Sequence, residues 1–206
     1  MGGMSESESK GGGVPPKVLA AQLARAESIR KEVEGLPIGG RPLVLEFGCG
    51  HGHWLTSYAE AFTDVFCLGV DLISARVRKG NGKRDRRGLN NLHFIKAEAA
   101  ELLSVWPDDI PISQAFMLFP DPWPKKRHFK NRMIQPAFLS QLAARMPLDA
   151  PFHFRTDHPD YFSWTSEHIS EHPDWQIEVD APWPWESTSY FQEFMEEWQS
   201  LVAHRA

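Results

Sequence analysis

Cysteine is scarce in this chain of 206 residues: Cys49 and Cys67 are the only two, and they form no C-x-x-C pair. That argues against a structural zinc site and a disulfide framework, and it suits a reducing compartment. Long apolar runs are missing too. None approaches the roughly 18 residues that a membrane-spanning helix needs. The opening Met1-Gly2-Gly3-Met4-Ser5-Glu6 has no apolar signal-peptide core, and Glu6 stands where a myristoylation signal wants Ser or Thr. The expectation is a cytoplasmic protein that does not enter a membrane. Basic side chains are almost absent from residues 157–206, which hold eleven acidic groups and only Arg205 against them.

The net charge of −5 therefore hides a split. Residues 1–156 carry 21 basic and 16 acidic side chains, and twelve of the 22 Lys and Arg fall within 76–87 and 125–132. A local basic patch steers a polyanion even when the whole molecule is acidic. The alternative is two solvated polar segments. The position of both windows beside the candidate site, below, favours the patch.

Residues 1–13 are rich in Gly, Ser, Glu and Lys, and they offer too little apolar area to offset the entropy of ordering, so disorder is expected there. The remainder, 14–206, suits a single domain. It opens with a helix over 15–34, where Val18, Leu19, Leu23, Ala26, Ile29 and Val33 recur at roughly helical spacing before Gly35 and Pro37. Short apolar runs then alternate with helical stretches. Strands are expected at 42–47, 65–71, 92–95, 114–119, 152–155 and 175–179. Helices are expected at 54–62, 74–87 (interrupted around Gly80-Asn81-Gly82), 98–104, 136–146, 159–171 and 191–203. This β-then-α order with apolar strands predicts an α/β fold, a mostly parallel central sheet with helices on both faces.

The first strand runs into Glu46-Phe47-Gly48-Cys49-Gly50-His51-Gly52, a G-x-G-x-G loop. A dinucleotide site uses G-x-G-x-x-G to bring a helix N-terminus against a pyrophosphate. S-adenosylmethionine has no phosphate, so its loop needs only close backbone approach, which Gly48, Gly50 and Gly52 permit. Glu46 would place negative charge near the cofactor's ammonium or sulfonium region. Asp71 lies 19 residues past Gly52, at the end of the second strand, where a carboxylate can accept ribose hydroxyls. Glu98 follows the third strand and is placed to meet the adenine edge. Each alone could be a turn or a helix cap. Three at successive strand ends point to one crevice. His51 and His53 lack a third partner at ligand spacing, so no metal is expected.

The fourth strand ends in Phe119-Pro120-Asp121-Pro122-Trp123-Pro124-Lys125-Lys126-Arg127-His128-Phe129-Lys130. Prolines after a strand often only shape a turn. Here they hold a carboxylate between them, and an aromatic and a basic cluster follow at once.

With loop, carboxylates and this segment together, the chain resembles the tRNA (guanine-N7)-methyltransferase family from about Leu43 to Thr188. Thr156-Asp157 matches a second family signature. The resemblance implies a Rossmann-like methyltransferase fold, S-adenosylmethionine as cofactor and tRNA as substrate. It implies cofactor-side roles for Glu46, Asp71, Glu98 and Asp121, with Asp121 also as the catalytic carboxylate. Lys125 and Asp157 fall at substrate-side positions, and Arg127, His128 and Lys130 belong to the same run. The family's closing T-K-F-E motif reads Thr188-Ser189-Tyr190-Phe191 here, with Glu193 two positions beyond the expected acid. Thr188, Tyr190 and Glu193 are the substrate-side candidates of that region. Lys125, Lys126, Arg127, Lys130 and Arg132 are expected to face phosphates, as are some of Arg78, Lys79, Lys83, Arg84, Arg86 and Arg87. Monomer and homodimer both stay open. The competing readings are a methyltransferase acting on another RNA or a small molecule, and a cofactor-binding RNA partner with little catalysis. A dinucleotide dehydrogenase is disfavoured by the glycine spacing.

Overall fold

The computed structural model describes residues 15–187 and 197–206. The calls on 1–13, and on Thr188, Tyr190 and Glu193, lie outside the described residues. Helix α1 (Pro16–Glu34) starts on a proline, whose missing N–H costs nothing in a first turn. Only Ile29 and Val33 of its apolar stripe are buried, while Val18, Leu19 and Leu23 are exposed. The alternation that follows is β1 (Leu43–Phe47), α2 (His53–Ala61), β2 (Phe66–Asp71), α3 (Ser74–Arg87), β3 (Leu92–Lys96), α4 (Ala99–Ser104) and β4 (Ile112–Leu118). A 3-10 turn over Lys126–Asn131 leads to α5 (Pro136–Ala143), β5 (Pro151–Thr156), α6 (Pro159–Ser170), β6 (Trp175–Glu178) and β7 (Gln199–Arg205).

The strands form one seven-stranded sheet in the order β3-β2-β1-β4-β5-β7-β6. From β3 to β5 every pairing is parallel, while β7 runs antiparallel to both β5 and β6. β1 is buried along its whole length, as a strand covered on both faces must be. Alternate side chains go to opposite layers. Leu43, Leu45 and Phe47 join the layer that includes α1, α4, α5 and α6, whereas Val44 packs with Trp54, Leu55, Tyr58 and Val77 of α2 and α3. The expected α/β architecture is therefore present.

Two expectations are corrected. The helix expected over 191–203 is instead strand β7 from Gln199 onward. Leu201, Val202 and Ala203 are all buried, because β7 is inserted between two other strands and covered on both faces. A continuous apolar run of this kind does not distinguish strand from helix. Helix α3 also runs unbroken through Gly80-Asn81-Gly82. Gly80 packs on the Phe94 ring, and a Cβ there would come within 2.7 Å of it. The Asn81 amide donates to the Phe94 carbonyl (2.8 Å), and its oxygen accepts the Phe94 N–H (3.1 Å). The helix-breaking residues thus dock α3 onto edge strand β3.

Candidate active site

The parallel register brings the strand ends to one edge. Phe47 pairs with both Val70 and Met117, and Leu118 pairs with Arg155. The segments that leave β1, β2, β4 and β5 therefore emerge side by side. At about 4.8 Å per strand, β2 to β5 spans about 14 Å, enough for an elongated cofactor and a base. Strand order reverses direction between β1 and β4, the switch point at which open α/β sheets bind ligands.

Gly48, Gly50 and Gly52 all take left-handed backbone, with φ of 70°, 56° and 67°. A Cβ at Gly48 or Gly50 would meet nothing within 4 Å, so both face open space. Gly52 is glycine for a different reason, since a Cβ there would overlap the Phe94 ring. Asp71, 5% exposed, braces this loop: its Oδ2 accepts the Gly50 N–H at 3.0 Å, and its Oδ1 accepts the Ile73 N–H at 2.8 Å. Arg76 lies 3.4 Å from Oδ2. Directly after Asp71, Leu72 and Ile73 are exposed at 63% and 46%. That apolar platform was not read from the sequence, where a pair of aliphatics after a strand gives no separate signal.

Glu46 is buried, and its Oε2 has no hydrogen-bond partner among the described residues. Burial, reinforced by the charge of Asp71, pushes its carboxyl up to about 8. A buried carboxyl with an unpartnered oxygen, at the end of the strand that runs into the glycine loop, fits a cationic ligand group, whose charge would favour the ionised form. Glu98 sits at the N-cap position of α4, makes no side-chain capping hydrogen bond and is exposed.

Asp121 is exposed on the loop after β4. Aromatic residues in left-handed backbone bracket it, Phe119 at φ 49° and Trp123 at φ 44°. Bulky side chains rarely adopt that region, and such strain persists only where surrounding structure holds it. The holding groups are visible: the Phe119 N–H donates to the Arg155 carbonyl (2.8 Å), and Arg132 Nε donates to the Pro122 carbonyl (2.9 Å). Arg132 corrects the expectation that it faces phosphates. It is 2% exposed, and its guanidinium lies 3.8 Å from the Phe129 ring centre with Tyr161 and Trp164 alongside. Lys125, Lys126, Arg127 and Lys130 are exposed, and His128 is half-buried against Trp123. Thr156 is buried and its hydroxyl accepts the His158 N–H, which leaves Asp157 exposed at the end of β5.

Sequence reasoning also missed Arg155. Buried on β5, it forms a two-pronged ion pair with Glu186 (2.8 and 3.0 Å) and stacks 3.9 Å from the Trp183 ring centre. The hydrogen bonds from Arg155 hold the Glu186 carboxyl below the usual range. Trp185 packs on Trp54, Tyr58 and Phe62. Residues 183–186 thus form a strap across the α2 face of the sheet.

This fold, with a glycine loop and carboxylates at its switch point, defines the Rossmann-like methyltransferase class. The crystal structure of the 16S rRNA methyltransferase KamB superposes over 89% of this chain and 93% of its own with a TM-score of 0.59, at 16% identity; that likeness concerns the fold. The chain belongs to the tRNA (guanine-N(7)-)-methyltransferase family, and its residues 40–204 match the family model described as "Putative methyltransferase". The relative of that name from Azorhizobium caulinodans is 31% identical over 188 residues, 84% of this chain and 81% of its own. The one from Rhodospirillum rubrum is 33% identical over 143 residues, 69% of this chain. The chain spans 56% of the length of that relative and 64% of the one from Corynebacterium diphtheriae.

Proposed function

We propose that the protein transfers a methyl group from S-adenosylmethionine to N7 of a guanosine in tRNA. The observation that carries this reading is Asp121, exposed between two prolines on a braced loop, beside the glycine loop and followed by four exposed cations. Buried Glu46, without a partner, fits the cofactor's ammonium. Gly48 and Gly50 admit close backbone approach, Asp71 offers its remaining lone pairs to the ribose, and Leu72 with Ile73 gives the adenine an apolar seat near Glu98. When bound, the cofactor supplies an electrophilic methyl group.

Guanine N7 carries a lone pair and no proton, so this chain needs no general base. Its task is alignment, which accounts for several kcal/mol when reacting atoms are held in line. Methylation leaves positive charge on the purine, and a fixed carboxylate at Asp121 stabilises it. Asp121 would also accept from the guanine N1–H and amino group. Lys125, Arg127, His128 and Lys130 supply backbone contacts to RNA, which position without reading sequence. Asp157, one strand further along, completes the substrate side, with Thr188, Tyr190 and Glu193 carried from the sequence alone.

The test is incubation with bulk tRNA and labelled S-adenosylmethionine, followed by nucleoside analysis. N7-methylguanosine is the expected product, and its absence from cofactor-binding protein rejects the reading. Asp121→Ala should lower turnover by about a hundredfold or more, the scale of removing one charge-stabilising group, with cofactor affinity nearly unchanged. Full activity in that variant removes Asp121 from the chemistry. Ser189, in place of the family's lysine, favours a second reading, methyl transfer to another RNA. Replacing bulk tRNA with ribosomal RNA in the same assay separates the two.

A further inference from the structure

Helix α3 carries seven basic residues, and the structure sorts them. Arg76 is paired with Asp71, Arg84 with Asp85, and Arg87 with Glu60. Arg78, Lys79 and Arg86 are exposed and have no acidic partner among the described residues. These three, with Lys83, His51 and His53, line a groove of about 680 Å³ between α3 and the glycine loop. Among the described residues no carboxylate contributes to its walls. The acids of the two flanking helices, Glu60 and Asp85, already serve other cations. The small residues Ala75 and Gly82 complete its lining. The Lys83 ammonium donates to the His51 carbonyl at 2.7 Å, which ties α3 to the loop. Burial, followed by Arg87, Arg86 and Lys79, depresses that ammonium to about 8. Uncompensated positive charge of this kind calls for an anion.

We infer that this groove is a second phosphate-binding track for the RNA substrate, separate from the cations after Asp121. The inference rests on the RNA reading above. The proposed cofactor has no phosphate, so these cations are not needed to hold it. Arg78 and Arg86 are eight residues apart, a helical rise of about 12 Å, which faces about three successive phosphates of one strand. The track starts at His51 inside the glycine loop, and the Lys125–Lys130 cluster leaves β4 on the other side of β1. A strand engaged by both would be held across the reaction edge.

The test uses the full-length protein, a fluorescent unmodified tRNA transcript and anisotropy titrations over a range of salt concentrations. Arg78→Glu with Arg86→Glu is compared with Lys17→Glu and Arg30→Glu on α1, an equal charge change on the opposite face of the sheet. The groove variant should bind tRNA at least tenfold more weakly, with the log–log salt slope reduced by about two. Its affinity for S-adenosylhomocysteine, measured by calorimetry, should stay at the wild-type value, which also reports folding. At saturating tRNA its turnover should persist while KM for tRNA rises. An unchanged slope, or equal weakening by the α1 variant, overturns the track. Wild-type protein that binds tRNA through the groove yet makes no N7-methylguanosine would fail the proposed reaction and leave the track standing.

Discussion

Glu46 is a buried carboxyl of the proposed crevice. It sits at the end of β1, and its raised carboxyl holds a proton in the folded protein between about 4.5, its ordinary value, and about 8. The unfolded chain has lost that proton over the same interval, so the ligand-free fold loses stability as pH rises from about 4.5 to 8 and levels off above. Between pH 6 and pH 8 the loss attributable to Glu46 should be of order 1–3 kcal/mol, at 1.36 kcal/mol per unit. Urea denaturation of wild type and Glu46→Gln at both pH values checks this, because the glutamine variant lacks that increment. An equal slope in both proteins would show that Glu46 is ionised throughout. Arg132 teaches the complementary lesson about single residues. In the sequence it is one more cation in a basic run. Its burial is set by Phe129, Tyr161 and Trp164, and the latter two lie on α6, far along the chain. Nothing local separates it from Lys130.

At the scale of elements, the features legible in the sequence were those with local steric causes. A G-x-G-x-G loop announces positive φ, and all three glycines have it. Prolines around Asp121 announce a fixed loop, although the left-handed Phe119 and Trp123 that bracket it were not foreseen. What escaped was decided by partners distant in sequence. β7 is a strand because β5 and β6 offer it two ladders. Helix α3 is continuous because Gly52, Gly69 and Gly80 enclose the Phe94 ring from three elements. Alanine normally favours a helix over glycine by about 1 kcal/mol, so on propensity Gly80→Ala should stabilise α3. Packing against Phe94 predicts the reverse, a loss of about 1–3 kcal/mol, as for other overpacked cores. Phe94→Leu should recover part of that loss when combined with Gly80→Ala. The double-mutant cycle, read by chemical denaturation, should give a coupling of about 1 kcal/mol or more. Additive effects would mean that the ring and the helix do not constrain each other.

Across the whole molecule, the charge split read from the sequence becomes a division of the sheet. The basic helix α3 flanks β2 and β3, while the acidic stretch 157–206 contributes α6, β6 and β7 at the far edge. Counting charges revealed the split. Only the ion pairs showed which cations are free, since three of the seven on α3 are already neutralised. Among the described residues no helix is long and apolar enough to cross a membrane. The crevice lies between the two halves, at the switch between β1 and β4, and its residues come from strands on both sides. A ligand that engages Glu46, Asp71 and Asp121 together therefore binds only when β1, β2 and β4 are assembled, and its binding energy adds to the stability of the entire sheet. S-adenosylhomocysteine at a hundred times its dissociation constant should contribute about 2.7 kcal/mol. At about 2–4 °C per kcal/mol for a chain of this length, the melting temperature should rise by about 5–10 °C. NAD at the same concentration should leave it unmoved, because the loop has no G-x-G-x-x-G helix entry for a pyrophosphate. A shift with NAD and none with S-adenosylhomocysteine would reverse the reading of the glycine loop, and the proposed reaction would fall with it.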